Sequence, residues 1–470
     1  GMTVYSDAHI GHARTYLAFD IIRRYLEYKN YEVTYVQNIT DVDDKIIVAA
    51  NEEGIDPLKY SERFADRCFK DLDDLGIRRA DLYPKASETI PDMIVMIQQI
   101  VSNGLGYVAG GDVYFSVEKF KEYGKLSGQK IDEMKKGARI EPDERKHSPL
   151  DFALWKHAKK GEPSWESPWG EGRPGWHIEC STMSAKYCGL PFDIHGGGMD
   201  LRFPHHENEI AQAEAATGKK FAKYWMHIGL LTVCGEKMSK SLGNIINVGD
   251  LLKKHDSEVI RMFLAQAHYR SPPDFSEKAL ENTQKGLDKI YRLKEKLERF
   301  SASNMMLDEN NLTPAEKEYL TTINDFKKQF EQAMDDDFNT PRTFAAIFEF
   351  VNKSNKFLED NEQINNALCK HSLGILLKLG GILTLFQPRS KQPDETILLG
   401  KLQKLILKYG KEVEEVNIQD IIKTLLDTRE KARNQKDWGK ADRIRDELQQ
   451  IGIEVQDTSK GPVWKKKTRT

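Results

Sequence analysis

Several groups of residues in this 470-residue chain have types and spacings that could do chemistry. His9-Ile10-Gly11-His12 sets two imidazoles around a glycine near the start of a helical pattern. Rings so placed can donate hydrogen bonds to charge developing on a polyphosphate, and Gly11 lets backbone and an adenine ring come close. Lys237-Met238-Ser239-Lys240-Ser241 carries two ammonium groups on a hydroxyl-rich stretch, suited to a departing pyrophosphate and equally to a solvated loop. His205 and Glu209, four apart on a helical pattern, share a face, and Cys180 lies 25 residues upstream. All three are acceptable zinc ligands, although a buried structural cysteine beside an ordinary His/Glu face fits the same letters. Near the C-terminus Arg429, Arg433, Lys436, Trp438, Lys440, Arg443 and Arg445 combine cations with an aromatic that could stack an unpaired base. The other reading is a charged helix face with Trp438 packed beneath it.

These residues need elements to hold them. A strand ending near Tyr5, a loop with His9, Gly11 and His12, a helix from about Arg14 to Lys29 and a strand over Tyr31–Val36 make a βαβ opening. That is half of a doubly wound, Rossmann-type parallel sheet, in which loop and helix N-terminus meet phosphates at the carboxyl edge. The sheet resumes with a strand at Phe192–His195, a Gly196-Gly197-Gly198 loop, a helix over His205–Thr217 and a strand over Trp225–Val233. Between the halves, short strand-like runs such as Asp112–Val117 and many Gly, Pro and Lys residues read as an insertion. After Ser241 the pattern is helical: Asp250–Gln266, Ser276–Phe300, Pro314–Met334, Pro341–Glu359 and a Leu-rich stretch ending near Phe386, with Thr340 as a helix cap. Gln387–Glu395 reads as a linker to a small α+β domain ending in a hairpin over Ile453–Trp464, turning at Lys460-Gly461.

Composition excludes other classes. Five cysteines at 68, 180, 188, 234 and 369, without a CxxC pair, argue against a disulfide framework and for a reducing, cytoplasmic setting. No apolar run reaches the ~18 residues of a membrane span, and the start lacks a signal-peptide pattern, so a soluble protein is expected. The net charge of −3 is uneven: residues 401–470 hold 17 Lys and Arg against 12 Asp and Glu, so a polyanion belongs at that end.

The two signature segments, in this order on a split α/β sheet, resemble class I aminoacyl-tRNA synthetases. Asn38-Ile39-Thr40-Asp41-Val42-Asp43-Asp44-Lys45, Gly175-Trp176-His177-Ile178-Glu179-Cys180-Ser181, His195-Gly196-Gly197-Gly198, Phe203-Pro204-His205-His206-Glu207-Asn208-Glu209 and Asp335-Asp336-Asp337-Phe338-Asn339-Thr340-Pro341 narrow this to the cysteinyl-tRNA synthetases. The resemblance implies ATP-dependent activation of L-cysteine and its transfer to tRNA(Cys) by a monomeric enzyme. Mg2+ would accompany ATP, and His9, Gly11, His12, Asp200, Lys237 and Lys240 would hold the nucleotide. Thr40 and Trp176 would wall the amino-acid pocket, with core packing as the alternative for both; Asp200 could bind the ribose or the substrate ammonium. His195 could meet the adenylate or merely cap a strand. The resemblance also implies a Zn2+ held by Cys180, His205, Glu209 and a cysteine that the family carries directly before the Gly1-Met2-Thr3-Val4-Tyr5 run. That fourth position precedes Gly1, which suggests a chain truncated at its start. The stretch Ala432-Arg433 through Lys436-Asp437-Trp438 to Ala441-Asp442 and Arg445-Asp446 is similar to the family's anticodon-reading domain, which favours RNA contact over the packed-face reading for Arg429, Arg433 and Trp438.

The expected organisation is a first catalytic half over 1–105, an insertion over 106–172, a second catalytic half with zinc site and lysine loop over 173–241, a stem-contact region over 242–300, a helical bundle over 301–387 and an anticodon-binding domain over 396–470. Two other readings are open: a cysteine ligase of the mycothiol type acting on an amino-sugar, and a non-catalytic RNA-binding relative.

Overall fold

A computed structural model describes residues 1–131, 133, 144–239, 242–301, 307–361, 365–387, 401–403, 405–409, 418–451, 453–458 and 461–466. The chain forms two compact units, Gly1–Gln387 and Pro388–Thr470.

The first unit opens with strand β1 (Met2–Thr3), helix α1 (Ile10–Tyr28) and strand β2 (Ile39–Thr40), which runs parallel to β1 with Thr3 beside Thr40. Ile10, Ala13, Leu17, Ile21 and Tyr25 recur every three or four residues and are all buried, which is why α1 is helical and where it packs. The helix begins four residues earlier than its pattern suggests. His9 is its N-cap and His12 its third residue, so the signature occupies the first turn instead of a preceding loop. The expected strand over Tyr31–Val36 does not form: Tyr31 is exposed and Val36 makes only an isolated bridge, to Leu82. β-branched and aromatic residues favour a strand only where a neighbour and a buried face exist, and here Ile39 and Thr40 take that place.

Helices α2 (Asp44–Glu53), α3 (Pro57–Asp74) and α4 (Ile90–Ser102) follow, then an antiparallel sheet of β3 (Gly106–Ala109), β4 (Asp112–Phe115), β5 (Phe152–His157) and β6 (Gly172–Pro174) in that spatial order. Phe115 and Trp155 from this sheet are fully buried with Met93 and Ile97 of α4. The last strand runs straight into α5 (Trp176–Cys188), and β7 (Phe192–Gly198), α6 (His205–Thr217) and β8 (Ala222–Ile228) complete a second parallel pair. The three glycines expected as a loop instead continue β7. A Cβ on Gly196 would overlap the Phe19 ring, so glycine there is what lets α1 lie against the strand.

Strand β9 (Thr232–Val233), β10 (Glu236–Lys237), α7 (Val248–Leu252), α8 (Ser257–Ala265) and β11 (Asp274–Phe275) come next, with β9 between β10 and β11. The single helix expected over 250–266 is two, because Asp256 accepts from the Glu258 backbone N–H and caps α8 afresh. The expected strand over Trp225–Val233 is likewise divided between β8 and β9. Four long helices close the unit: α9 (Glu277–Phe300), α10 (Pro314–Asp335), α11 (Thr340–Asp360) and α12 (Asn366–Ile382), packed through Leu287, Ile290, Phe326, Phe330, Phe350 and Leu376. Asn339, one residue before the expected Thr340, caps α11.

The second unit holds α13 (Ile418–Asn434), α14 (Trp438–Gln450) and an antiparallel pair, β12 (Ile453–Thr458) and β13 (Gly461–Lys466), around Ile422, Leu425, Ile444 and Leu448. Lys460 and the expected linker from 388 onward lie outside the described residues. Among the described residues no helix is long and apolar enough to cross a membrane.

Candidate active site

The first turn of α1 fixes both signature histidines. The His12 backbone N–H donates to His9 Nδ1 at 3.3 Å, and the His9 backbone N–H donates to His12 Nδ1 at 3.4 Å. The rings stack with centroids 3.6 Å apart. Since each Nδ1 accepts, each neutral ring carries its proton on Nε2, directed away from the helix backbone as a donor. Burial, and then the neighbouring His9, push His12 down to about 3, so it stays uncharged at neutral pH. Gly11 suits this packing, which a side chain would crowd. A Cβ there would sit 3.0 Å from His9 Nδ1 and 3.3 Å from Met238 Cε.

That last contact brings the lysine segment to the same turn. The Ile10 N–H donates to the Ile246 carbonyl and the Val248 N–H to the Ala8 carbonyl, both at 2.9 Å, while His9 bridges Asn247. Within the loop, Asn244 Oδ1 accepts from the Ser239 N–H at 2.8 Å and its Nδ2 donates to the Lys237 carbonyl. Lys237 is exposed at the end of β10. Lys240 and Ser241 lie outside the described residues.

The second centre is a buried cluster. Ligand atoms of Cys180 on α5 and of His205 and Glu209 on the first turns of α6 all lie within 4.8 Å of one another. Glu209 is fully buried, and neither of its oxygens accepts a well-directed hydrogen bond, although His195 Nε2 and His205 Nε2 stand 2.9 and 3.3 Å away. Burial acts to raise the Glu209 carboxyl, but His195 and His205 outweigh it and hold it well below the carboxylate range. Burial, and then Glu209, push the Cys180 thiol far up. A soft sulfur, an imidazole and an orphaned carboxylate are a donor set that fits a zinc ion. His205 Nδ1 lies 2.9 Å from His177 Nδ1. With His205 Nε2 turned toward Glu209, His177 is the outer partner that orients the ring.

His195 does not cap its strand: from β7 it reaches Glu209, and with His206 and Glu209 it forms a second three-donor group. His206 Nδ1 in turn lies 2.9 Å from His227 Nε2. Reading residues singly missed His177, His206 and His227. The signal was density, since five of the twelve histidines fall between 177 and 227.

Trp176 is 39% exposed at the start of α5, its ring 4.2 Å from that of His205, so it stands at the rim of the cluster instead of in the core. Thr40 is buried, and its hydroxyl donates to Glu179 Oε2 at 2.9 Å. Burial holds the proton affinity of the Gly1 amine below its ordinary value, and the nearby Cys180 and Glu209 offset only part of that. Asp200 is exposed on the 3-10 turn Met199–Arg202 that follows β7.

In the second unit Trp438 opens α14 and is 57% exposed, while Arg433 is half-buried. Arg429 departs from expectation. It is 3% exposed, because residues 422, 425, 426 and 429 share the inward face of α13, and a side chain so placed is not a surface RNA contact.

Residues 1–285 match the model of the tRNA synthetases class I (C) catalytic domain, 329–387 the DALR domain, and 417–464 the cysteinyl-tRNA ligase anticodon binding domain. A Cysteine–tRNA ligase of Thermococcus gammatolerans is 47% identical over 99% of this chain and 93% of its own length. One from Clostridioides difficile is 45% identical over 99% and 94%. Among solved structures, Mycobacterium tuberculosis methionyl-tRNA synthetase in complex with methionyl-adenylate shares the fold at a TM-score of 0.63 and 16% identity, covering 89% of this chain and 94% of that one.

Proposed function

The chain belongs to the cysteine–tRNA ligases, class I aminoacyl-tRNA synthetases, and from that premise we propose which of its residues carry each step. ATP, accompanied by Mg2+, lies over the first turn of α1. The cysteine carboxylate attacks the α-phosphorus in line, and the bond to pyrophosphate breaks. His9 and His12 donate from Nε2 to the oxygens that gain charge, while Lys237 and Lys240 draw off the pyrophosphate. Asp200 serves the ribose side. In the second step the terminal ribose 2′-OH of tRNA(Cys) attacks the cysteinyl carbonyl and AMP leaves; the protein acts as a monomer.

Cys180, His205 and Glu209 would hold zinc, with Trp176 at the rim and Thr40 steadied by Glu179. Bound zinc supplies a soft centre that favours a thiolate over the much more basic serine hydroxyl, a discrimination that shape alone makes poorly. The observation that carries this reading is the Glu209 carboxylate, buried, ionised and accepting no well-directed hydrogen bond between two imidazoles and a thiol. Cysteine-dependent ATP–pyrophosphate exchange and charging of a tRNA(Cys) transcript test it. A metal-free protein that still rejected serine would sink the zinc assignment. The amino-sugar ligase and the non-catalytic relative are not favoured, because the anticodon-binding match covers residues 417–464 of the second unit and Met238 of the lysine segment reaches the turn that carries His9 and His12.

At the RNA end we expect two arginine and tryptophan variants to separate. Trp438→Ala should weaken tRNA binding by ~1–3 kcal/mol, the usual loss of one stacked base, without changing thermal unfolding. Arg429→Ala should instead lower the unfolding temperature. Equal RNA-binding defects in both, with neither destabilised, would contradict the placement of Arg429.

A further inference from the structure

We propose that Asp337 is a positioning residue for adenylate formation, fixing the strip 268–275 and through it the hairpin that presents Lys237. Asp337 and Phe338 lie between α10 and α11, and both adopt left-handed backbone with φ of 53°. Two adjacent non-glycine residues in that region are strained and persist only where surrounding contacts impose them. The contacts are dense. Asp337 Oδ1 accepts from Tyr269 Oη at 2.7 Å and Oδ2 from Arg270 Nε at 2.6 Å, with Arg270 Nη2 at 3.2 Å from Oδ1. The Asp337 carbonyl lies 3.0 Å from His268 Nε2. Three successive side chains therefore close on one residue.

Phe338 holds the other side. It lines a small apolar cavity with Leu17, Ile21 and Ile22 of α1, and its ring meets Tyr25 edge-on at 6.2 Å. Buried Arg14, half a turn beyond His12, donates to the carbonyls of Leu264, His268 and Ser271 at 2.5, 2.8 and 2.8 Å. One face of the strip is thus tied to the helix that carries the signature histidines.

The strip continues into β11, which pairs with β9, the strand hairpinned to Lys237 on β10. The Gly229 N–H donates to the Tyr269 carbonyl at 2.7 Å and the Thr232 N–H to the Pro273 carbonyl at 3.0 Å. Asp274 Oδ1 accepts from Thr232 Oγ1 and the Gly235 N–H, both at 2.7 Å. A shift of 268–270 would move the hairpin relative to the His9–His12 turn. None of these contacts involves Cys180, His205 or Glu209, so the cysteine site should not feel it.

The inference rests on the role given to Lys237, and its test splits kcat from KM in cysteine-dependent exchange. Wild-type exchange is measured first; failure there would count against the functional reading itself. Asp337→Asn keeps shape and removes the ion pair. We expect kcat to fall roughly 10- to 100-fold, the scale of an ångström-sized misplacement, with KM for cysteine unchanged. Arg270→Lys should behave alike, and the double variant should be no worse than either single one. Asp336→Asn, whose carboxylate pairs with exposed Arg342, should match wild type. Unchanged kcat in a folded Asp337→Asn, or KM for cysteine rising as much as kcat falls, would overturn the proposal. Should Asp337→Asn fail to fold, Arg270→Lys decides by the same criteria.

Discussion

Glu209→Gln is expected to release the metal and remove discrimination against serine while the fold survives. The amide matches the carboxylate in size, so the packing between α5 and α6 is kept, but the anionic ligand is gone. Losing an outer partner of a metal ligand already costs roughly 10- to 100-fold in affinity, and a direct ligand should cost more. His177→Phe, which removes only the ring orienting His205, is the matched comparison and should fall within that range. The readouts are metal content after dialysis, KM for cysteine, KM for ATP and the cysteine-to-serine ratio of exchange rates. KM for cysteine should rise steeply and KM for ATP barely move, because the nucleotide site proposed above lies on α1 and the cluster on α5 and α6. Retention of stoichiometric metal by Glu209→Gln would show that Glu209 is not a ligand, and the group His195, His206 and Glu209 would lose its claim with it. Cys180→Ser supplies an independent check through a different element. It keeps the size of the side chain but replaces a soft donor by a hard one.

Much of this arrangement is legible in the sequence, and what is not has a physical reason. His205 and Glu209 can be placed on one helix face from spacing alone, because an α-helix repeats every 3.6 residues. Cys180 cannot be brought to them by any local rule, since it arrives on another helix through the packing of α5 on α6. The meeting of His195 with His206 and Glu209 is illegible for the same cause: a strand residue and a helix residue come together only once β7 and α6 are assembled. The first turn of α1 was misplaced because histidine is an uncommon cap, and rules built on Ser, Thr, Asp and Asn look past it. Tyr31–Val36 shows the reverse error, strand composition without a buried edge to join. Arg429 illustrates a third kind, in which a charge within a basic run was read as surface although residues 422, 425 and 426 had already marked its face as inward. Asp337 carried no chemical signal beyond its acidic run; only the contacts of three consecutive side chains reveal what it holds.

His9→Asn and His9→Gln should differ sharply in rate although both substitute a neutral amide. Asparagine is among the best helix caps, and its Oδ1 can take over the acceptor role of His9 Nδ1 toward the His12 backbone N–H. It offers nothing at the Nε2 position. Glutamine reaches that position with an N–H donor and caps less well. If Nε2–H is the group that meets developing charge, His9→Asn should unfold at or above the wild-type temperature yet lose roughly 10²- to 10³-fold in kcat, the usual effect of deleting one such donor. His9→Gln should be less stable and more active. The opposite ranking would mean that His9 serves the helix end and not the reaction. The pH profile separates the two roles further. Burial and His9 push His12 down to about 3, whereas an unfolded imidazole titrates near 6.5. Between those values the unfolded chain binds the extra proton, so the His12 contribution to stability is complete above about pH 6.5 and is lost progressively as pH falls toward 3. Across pH 7 to 9 the ring stays neutral and its Nε2 proton stays in place, so any alkaline limb of the exchange rate must come from other groups. In His12→Gln the acid-side loss of stability should flatten while that limb keeps its midpoint; a moved midpoint would place His12 among the groups that titrate.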